Sequence, residues 1–372
     1  MNVTILYGGK SGEHEVSLVS AASVARNIDS KKHKINLIGI TKNGKWFLQN
    51  DNELERIKKD TSSSLKIIED EKRLVSINPA GGKFLGLFCK DKKIGAIETD
   101  IVFPVLHGTY GEDGTIQGLF EMANLPYCGC NVMASALTMD KEKTKQVWEN
   151  ANLPVVPYVT VRKFEIRTEE KLAQIIAKIE KTFSYPVFVK PCCAGSSVGA
   201  NKANNKDELL KNLAEAFEWD EKVLVEKNIN AREIECSVIG NNEIHVFDPG
   251  EILPTHTFYN YEAKYKDPNG AKLQIPANLN ESQKEKILEI AKKAFAILDA
   301  RGFSRIDFFI DKNDDKIYLN EINTIPGFTS ISMFPKMCDA AGLKYPELIE
   351  KILNLGIENF NSRRSLKTSF NN

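Results

Sequence analysis

The stretch SRIDFFIDKNDDKIYLNEINTIPGFTSISMF, residues 304–334, decides how the chain is read. Its first half predicts two short strands, Arg305–Ile310 and Lys316–Ile322, joined by the polar turn Asp311–Asp315. Side chains alternate along a strand, so Arg305, Asp307 and Phe309 share one side, and Leu319, Glu321 and Asn323 share another. With the turn centred on Asp314, Asp307 falls directly across from Glu321. Two carboxylates about 5 Å apart across strands repel unless a cation lies between them. Asn323 adds a neutral oxygen one pleat further on. An all-oxygen set suits Mg²⁺ shared with phosphate, or Mn²⁺ in its place, rather than zinc. The plainer alternative is a solvated hairpin with surface carboxylates. Ile306, Phe308, Ile317, Leu319 and Ile322 flank the acids and argue for burial.

Beyond Asn323, Thr324–Thr329 reads as a turn, and Ser330–Leu343 has helical spacing through Ile331, Phe334, Pro335 and Cys338. A glycine-led turn feeding a helix start presents backbone N–H groups that suit an anion or a developing oxyanion.

The 372 residues allow two or three domains. Lys plus Arg and Asp plus Glu both number 50, so nothing argues for a nucleic-acid surface, though a local basic pocket could hold phosphates. MNVTILYGGK begins a strand at once, and no apolar run approaches 18 residues, so neither a secretion signal nor a membrane span is expected. Seven cysteines fit reduced thiols in a cytoplasm. Cys128-Gly-Cys130 and Cys192-Cys193 lack zinc spacing and read as packing residues.

Val3–Tyr7, Gly8-Gly9 and the pattern Val16, Val19, Ala22, Val24 read as strand, glycine turn and helix, an α/β opening whose ligand edge lies at the turn. Glu13 in that turn is either functional or a capping carboxylate. Asp51–Glu71 reads as a charged helix-and-loop insertion of little functional weight. Ile101–Leu106 is a strand running into the three-glycine loop His107–Gly114. Val187–Lys190 leads into PCCAGSSVG, a loop flexible enough to fold over a triphosphate, with Lys190 at its root. Lys227–Ala231 is a hinge, and Pro254–Lys272, rich in aromatics, reads as a lid. Residues after Ile357 are expected to form a ragged tail.

GGKSGEHEVS, HGTYGEDGTIQG, MDK, FVKPCCAGSSVG, VEKNINAREIEC, FYNYEAKY, RIDFF and NEINTIPGFTSIS stand in the order and spacing of D-alanine–D-alanine ligases of the ATP-grasp group, which the chain resembles over about residues 2–357. The resemblance implies an α/β protein: an N-terminal Rossmann-like domain, residues 1–137, then a two-part α+β ATP-grasp fold over 138–228 and 229–372. It implies that Asp307, Glu321 and Asn323 hold two Mg²⁺ ions against ATP. Lys141, Lys190 and Lys264 would meet phosphates; Glu226, Lys227 and Ile229 would border adenine, and Glu233 the ribose. Glu13 would accept the ammonium of the first D-alanine, linked to Ser196 and Tyr265 across the closed site. Arg305 and the N–H of Gly327 would stabilise an oxyanion, and Ser332 with the backbone at Met333 would seat the second substrate's carboxylate. D-Alanine is the expected acceptor, with Tyr265 and Met333 as its determinants; D-lactate and D-serine are the alternatives. Cys192-Cys193-Ala194 departs from the polar residues common in relatives. The implied reaction runs through an acyl phosphate to a dipeptide for peptidoglycan, in a homodimer without nucleic-acid or membrane partners.

Overall fold

The computed structural model describes residues 1–79, 81–89, 92–254, 271–329, 331–367 and 370; elements are numbered over these. Three sheets follow one another along the chain. The first holds β1 (Asn2–Gly8), β2 (Lys34–Ile40), β3 (Trp46–Leu48), β4 (Leu74–Ile77), β5 (Lys83–Cys89), β6 (Lys92–Glu98) and β7 (Ile101–Val105), in the order β6-β5-β4-β3-β2-β1-β7. β1 lies parallel to both β2 and β7. Pro104 is tolerated because β7 is an edge strand, where a missing N–H costs no ladder bond on the open side. Helix α1 (His14–Asn27) follows the β1 turn, α2 (Asp51–Lys59) lies in the insertion, and α3 (Thr115–Met122) follows the three-glycine loop.

The insertion is helix and loop, α2 followed by irregular chain, and beyond Glu71 the strands β4, β5 and β6, which the sequence did not reveal, extend the sheet. Leu65 is fully buried, and the Tyr7 hydroxyl donates to Lys66 O at 2.7 Å. Lysines and glycines within KFLGLFC and KKIGAIE dilute the strand signal.

Helices α4 (Val132–Met139) and α5 (Lys141–Asn150) connect to the second sheet, β8 (Tyr158–Arg162), β9 (Val187–Pro191), β10 (Asn201–Ala203) and β11 (Lys222–Lys227). It is antiparallel in the order β10-β9-β11-β8, with α6 (Glu169–Thr182) and α7 (Lys206–Ala216) packed on its apolar face. The third sheet has the path β15-β14-β12-β16-β17: β12 (Ala231–Gly240), β14 (Gly250–Pro254), β15 (Ala271–Gln274), β16 (Gly302–Asp311) and β17 (Ile317–Asn323), with β13 (Ile244–Val246) paired to β12. Its core face packs on α5 and α8 (Glu281–Ile297), where Trp148 and Phe295 are fully buried.

The chain end returns to the first sheet. α9 (Met333–Ala340) and α10 (Tyr345–Arg364) share one core with β1, β7 and α1, so the third sheet's turns and the N-terminal strands are packed together. The expected tail after Ile357 is helix to Arg364, and Arg363 pairs with Glu121. The sequence reading missed α4 as well, because a helix of eight residues is too short to show a clear period. No helix among the described residues is long and apolar enough to cross a membrane. Cys128, Cys130, Cys192, Cys236 and Cys338 are buried and free; Cys193 is exposed, and its backbone N–H donates to Asp220 at 2.7 Å.

Candidate active site

Asp307 does pair with Glu321, but the strand pairing shifts immediately beyond: Phe308 faces Leu319, and Asn320 is the extra residue of a bulge. That extra residue changes the faces. Leu319 and Ile322 both enter the core, so Leu319 does not share a side with Glu321 as alternation predicted. Asn320 reaches the site instead, accepting from Lys190 Nζ at 3.1 Å. Arg305 clamps Asp307 through Nε and Nη2 at 2.7 and 2.6 Å, and Asn323 Nδ2 donates to Asp307 at 3.0 Å.

Two lysines from the second sheet's side meet this hairpin. Lys141 sits at the start of α5, capped by Asp140; its Nζ donates to Ala194 O at 2.8 Å and lies 3.4 Å from Glu321. Burial works against its charge, yet Glu321 carries its pKa upward. Lys190, at the end of β9, lies 2.9 Å from Glu226, and Lys145 lies 3.0 Å from the same carboxylate. Burial disfavours the Glu226 anion, but the two ammonium groups hold its carboxyl below the ordinary range. Lys145 escaped the sequence reading; its spacing of one helical turn from Lys141 on α5 was the available signal.

Glu13 stands at the N-cap position of α1 but makes no side-chain cap bond, which removes the capping alternative. It accepts instead from Ser196 Oγ, 183 residues away. Ser196 and Ser197 adopt φ of +50° and +59°, a left-handed turn that places the hydroxyl there. Glycine is required on both sides of the carboxylate: a Cβ at Gly108 or Gly195 would come within 2.7 or 2.9 Å of Glu13 Oε2.

The three-glycine loop adds two residues the sequence reading did not single out. His107 is buried and bridges Ile325 O at 2.9 Å and Ser20 Oγ at 3.1 Å. Glu112 receives the N–H groups of Gly108 at 2.8 Å and Ile325 at 3.0 Å, tying the first domain's loop to the turn after β17. Burial pushes its carboxyl up to about 8, with the Glu13 charge acting the same way. A carboxyl raised from an ordinary 4.5 stabilises the fold fully below that value and ceases to do so as pH rises through about 8. The melting temperature of Glu112→Gln, measured by scanning fluorimetry, should therefore fall less between pH 6.5 and 9 than that of the parent. Parallel profiles would remove Glu112 as the cause.

At the turn, a Cβ on Gly327 would lie 2.8 Å from Ser332 Oγ, which accepts from Thr329 N at 3.0 Å. Ser332 is the N-cap residue of α9. Met333 is 4% exposed, with its thioether against Gly250, so its side chain belongs to the core. Its apolar side chain served a core position that the sequence pattern could not separate from a substrate contact. In the hinge, Lys227 is exposed with its N–H donated to Pro157 O at 3.0 Å, Ile229 is half-buried, and Glu233 lies on β12 two residues before Glu235. Lys264, Tyr265 and residues 255–270 of the expected lid lie outside the described residues, while Pro254 ends β14 and Ala271 and Lys272 begin β15.

The residues thus gathered match known proteins along the whole chain. Residues 2–130 match the family described as D-ala D-ala ligase N-terminus, and 147–354 match D-ala D-ala ligase C-terminus. A D-alanine–D-alanine ligase of Treponema denticola is 57% identical over 99% of both chains, and one of Caldicellulosiruptor bescii 44% identical over 99% of this chain and 98% of the other. Among solved structures, the D-alanine–D-alanine ligase of Coxiella burnetii aligns with TM-score 0.79 at 33% identity, covering 98% and 97% of the two chains. The VanG D-Ala:D-Ser ligase of Enterococcus faecalis aligns with TM-score 0.82 at 38% identity, covering 95% and 99%. The architecture is an N-terminal α/β domain followed by a two-part ATP-grasp fold, and the chain belongs to the D-alanine–D-alanine ligase family.

Proposed function

We propose that the protein joins two D-alanine molecules with ATP, giving D-alanyl-D-alanine, ADP and phosphate. One observation carries this reading: a single cleft is lined by Gly108, Lys141, Gly195, Glu321 and Asn323, so the seat beside Glu13 and the phosphate end of the site are continuous. In this reading the chain divides near residues 137 and 228, works as a cytoplasmic homodimer and feeds peptidoglycan assembly.

Asp307, Glu321 and Asn323 fit Mg²⁺ or Mn²⁺. Their donors are oxygens, once the Asn323 amide turns its oxygen inward, and two carboxylates plus an amide leave coordination positions for phosphate oxygens and water. Among the described residues no cluster of three or more His, Cys, Asp or Glu competes for a metal. Bound there, two Mg²⁺ ions would neutralise charge on the β- and γ-phosphates. Lys141 and Lys190 hold phosphate oxygens from the other side, with Lys264 from the lid segment. Glu226, Ile229 and the backbone beside Lys227 border adenine, and Glu233 takes the ribose hydroxyls.

Glu13 binds the ammonium of the first D-alanine, its carboxylate aimed by Ser196 and, on closure, Tyr265. The first substrate's carboxylate oxygen attacks the γ-phosphorus; the bond to ADP breaks and an acyl phosphate forms. The neutral amine of the second D-alanine then adds to the acyl carbon. Arg305 and the Gly327 N–H stabilise the oxyanion, phosphate leaves, and the amine's surplus proton is released. Ser332 and the backbone N–H of Met333, at the start of α9, receive the second carboxylate.

The 38% identity to a D-Ala:D-Ser ligase makes D-serine the second reading. Labelled D-alanine competing with D-serine and D-lactate, at pH 6 and pH 8, separates the two. D-alanyl-D-alanine should predominate and rise at pH 8, where more of the amine is neutral. A predominance of D-alanyl-D-serine or D-alanyl-D-lactate at both values would overturn the acceptor assignment.

A further inference from the structure

Glu235 on β12 lies directly across from Asp307 on β16, which in turn lies across from Glu321 on β17. Three carboxylates therefore form a row across three strands. Arg305 sits among them beside the Lys141–Glu321 pair: besides its clamp on Asp307, its Nε stands 3.1 Å from Glu235. Glu235 is only 6% exposed, and its strand neighbours Ile234 and Cys236 turn to the opposite, apolar face.

A metal ion on Asp307 needs the oxygens that Arg305 now occupies. We propose that Glu235 is the positioning residue that keeps Arg305 when Asp307 is given over to the metal. The guanidinium then retains one carboxylate partner through Nε and turns its outer nitrogens to the reacting carbonyl oxygen. This inference rests on the reading of Asp307 as a metal ligand and deepens it. Without the Glu235 charge, release of Asp307 would leave the half-buried guanidinium short of a partner, and Arg305 would compete with the ion for Asp307. Asn323 Nδ2, also on Asp307, can rotate its amide and offers no such competition.

Mn²⁺ binding with ADP, read from the EPR signal of the free ion, tests this without turnover. Glu235→Gln keeps the side chain's shape and should weaken Mn²⁺ binding on the order of tenfold. In an Arg305→Met background the same substitution should change binding by less than about twofold, because no guanidinium competes. Equal weakening in both backgrounds would show Glu235 acting only through its charge and would overturn the proposal. Unchanged binding in Glu235→Gln alone would also overturn it. Asp307→Asn serves as the separate check: if it binds Mn²⁺ as the parent does, the metal reading itself fails. Should Glu235→Gln not fold, Glu235→Asp, which draws the carboxylate back from Nε, should show the same dependence on Arg305.

Discussion

Glu321→Gln should leave a folded protein whose turnover is lower by about 10²–10³-fold. Glu321 faces Asp307 across the bulged hairpin and lies 3.4 Å from Lys141, so in the proposed function its charge would serve both the metal and the lysine. Glutamine has the same length and offers an oxygen, but it lacks the charge a hard dication prefers when phosphates fill its other positions. The side chain is half-buried at the cleft, so the melting temperature should hold. Steady-state ADP release with D-alanine, together with a Mn²⁺ titration, checks both parts. Turnover near that of the parent would remove Glu321 from the metal site.

Phe328→Ala should be the most damaging substitution away from charge chemistry, costing about 3–5 kcal/mol. Phe328 is fully buried, with its ring centroid 5.8 Å from Phe103, 5.4 Å from Phe303 and 5.3 Å from Phe334. Those partners come from β7, β16 and α9, so the cavity would open where the first sheet, the third sheet and the chain end meet. Phe328 also directly follows Gly327, whose N–H is assigned to the oxyanion. Slack in the turn should therefore lower kcat in the fraction that still folds. Thermal unfolding and kcat measured on Phe328→Leu and Phe328→Ala check this. Leucine should recover much of both quantities, and an alanine variant with parental stability would contradict the packing account.

Much of the site was legible in the sequence because its signals are local. Period-two alternation and a short polar turn put Asp307 across from Glu321, and a strand–glycine–helix pattern marked the loops that carry Glu13 and Lys190. The face of Leu319 was not legible: one bulged residue at Asn320 reverses the alternation, and its presence depends on how two strands seat against a core. Glu235 and Lys145 were each one period away from a residue already noticed, but a buried ion pair is visible only once both partners are placed.

By itself, then, the sequence determined the family, the N-terminal α/β domain ahead of a two-part ATP-grasp fold, and the acidic hairpin, since the motifs that carry them are residue types at short, regular spacing. The resemblance already implied that Glu13 meets Ser196; only the tertiary structure decided that Glu112 ties the first domain's loop to Ile325 and that the Met333 side chain belongs to the core. Each of these rests on contacts between segments 83 to 213 residues apart, where close approach is set by packing and by which glycines leave room for a carboxylate.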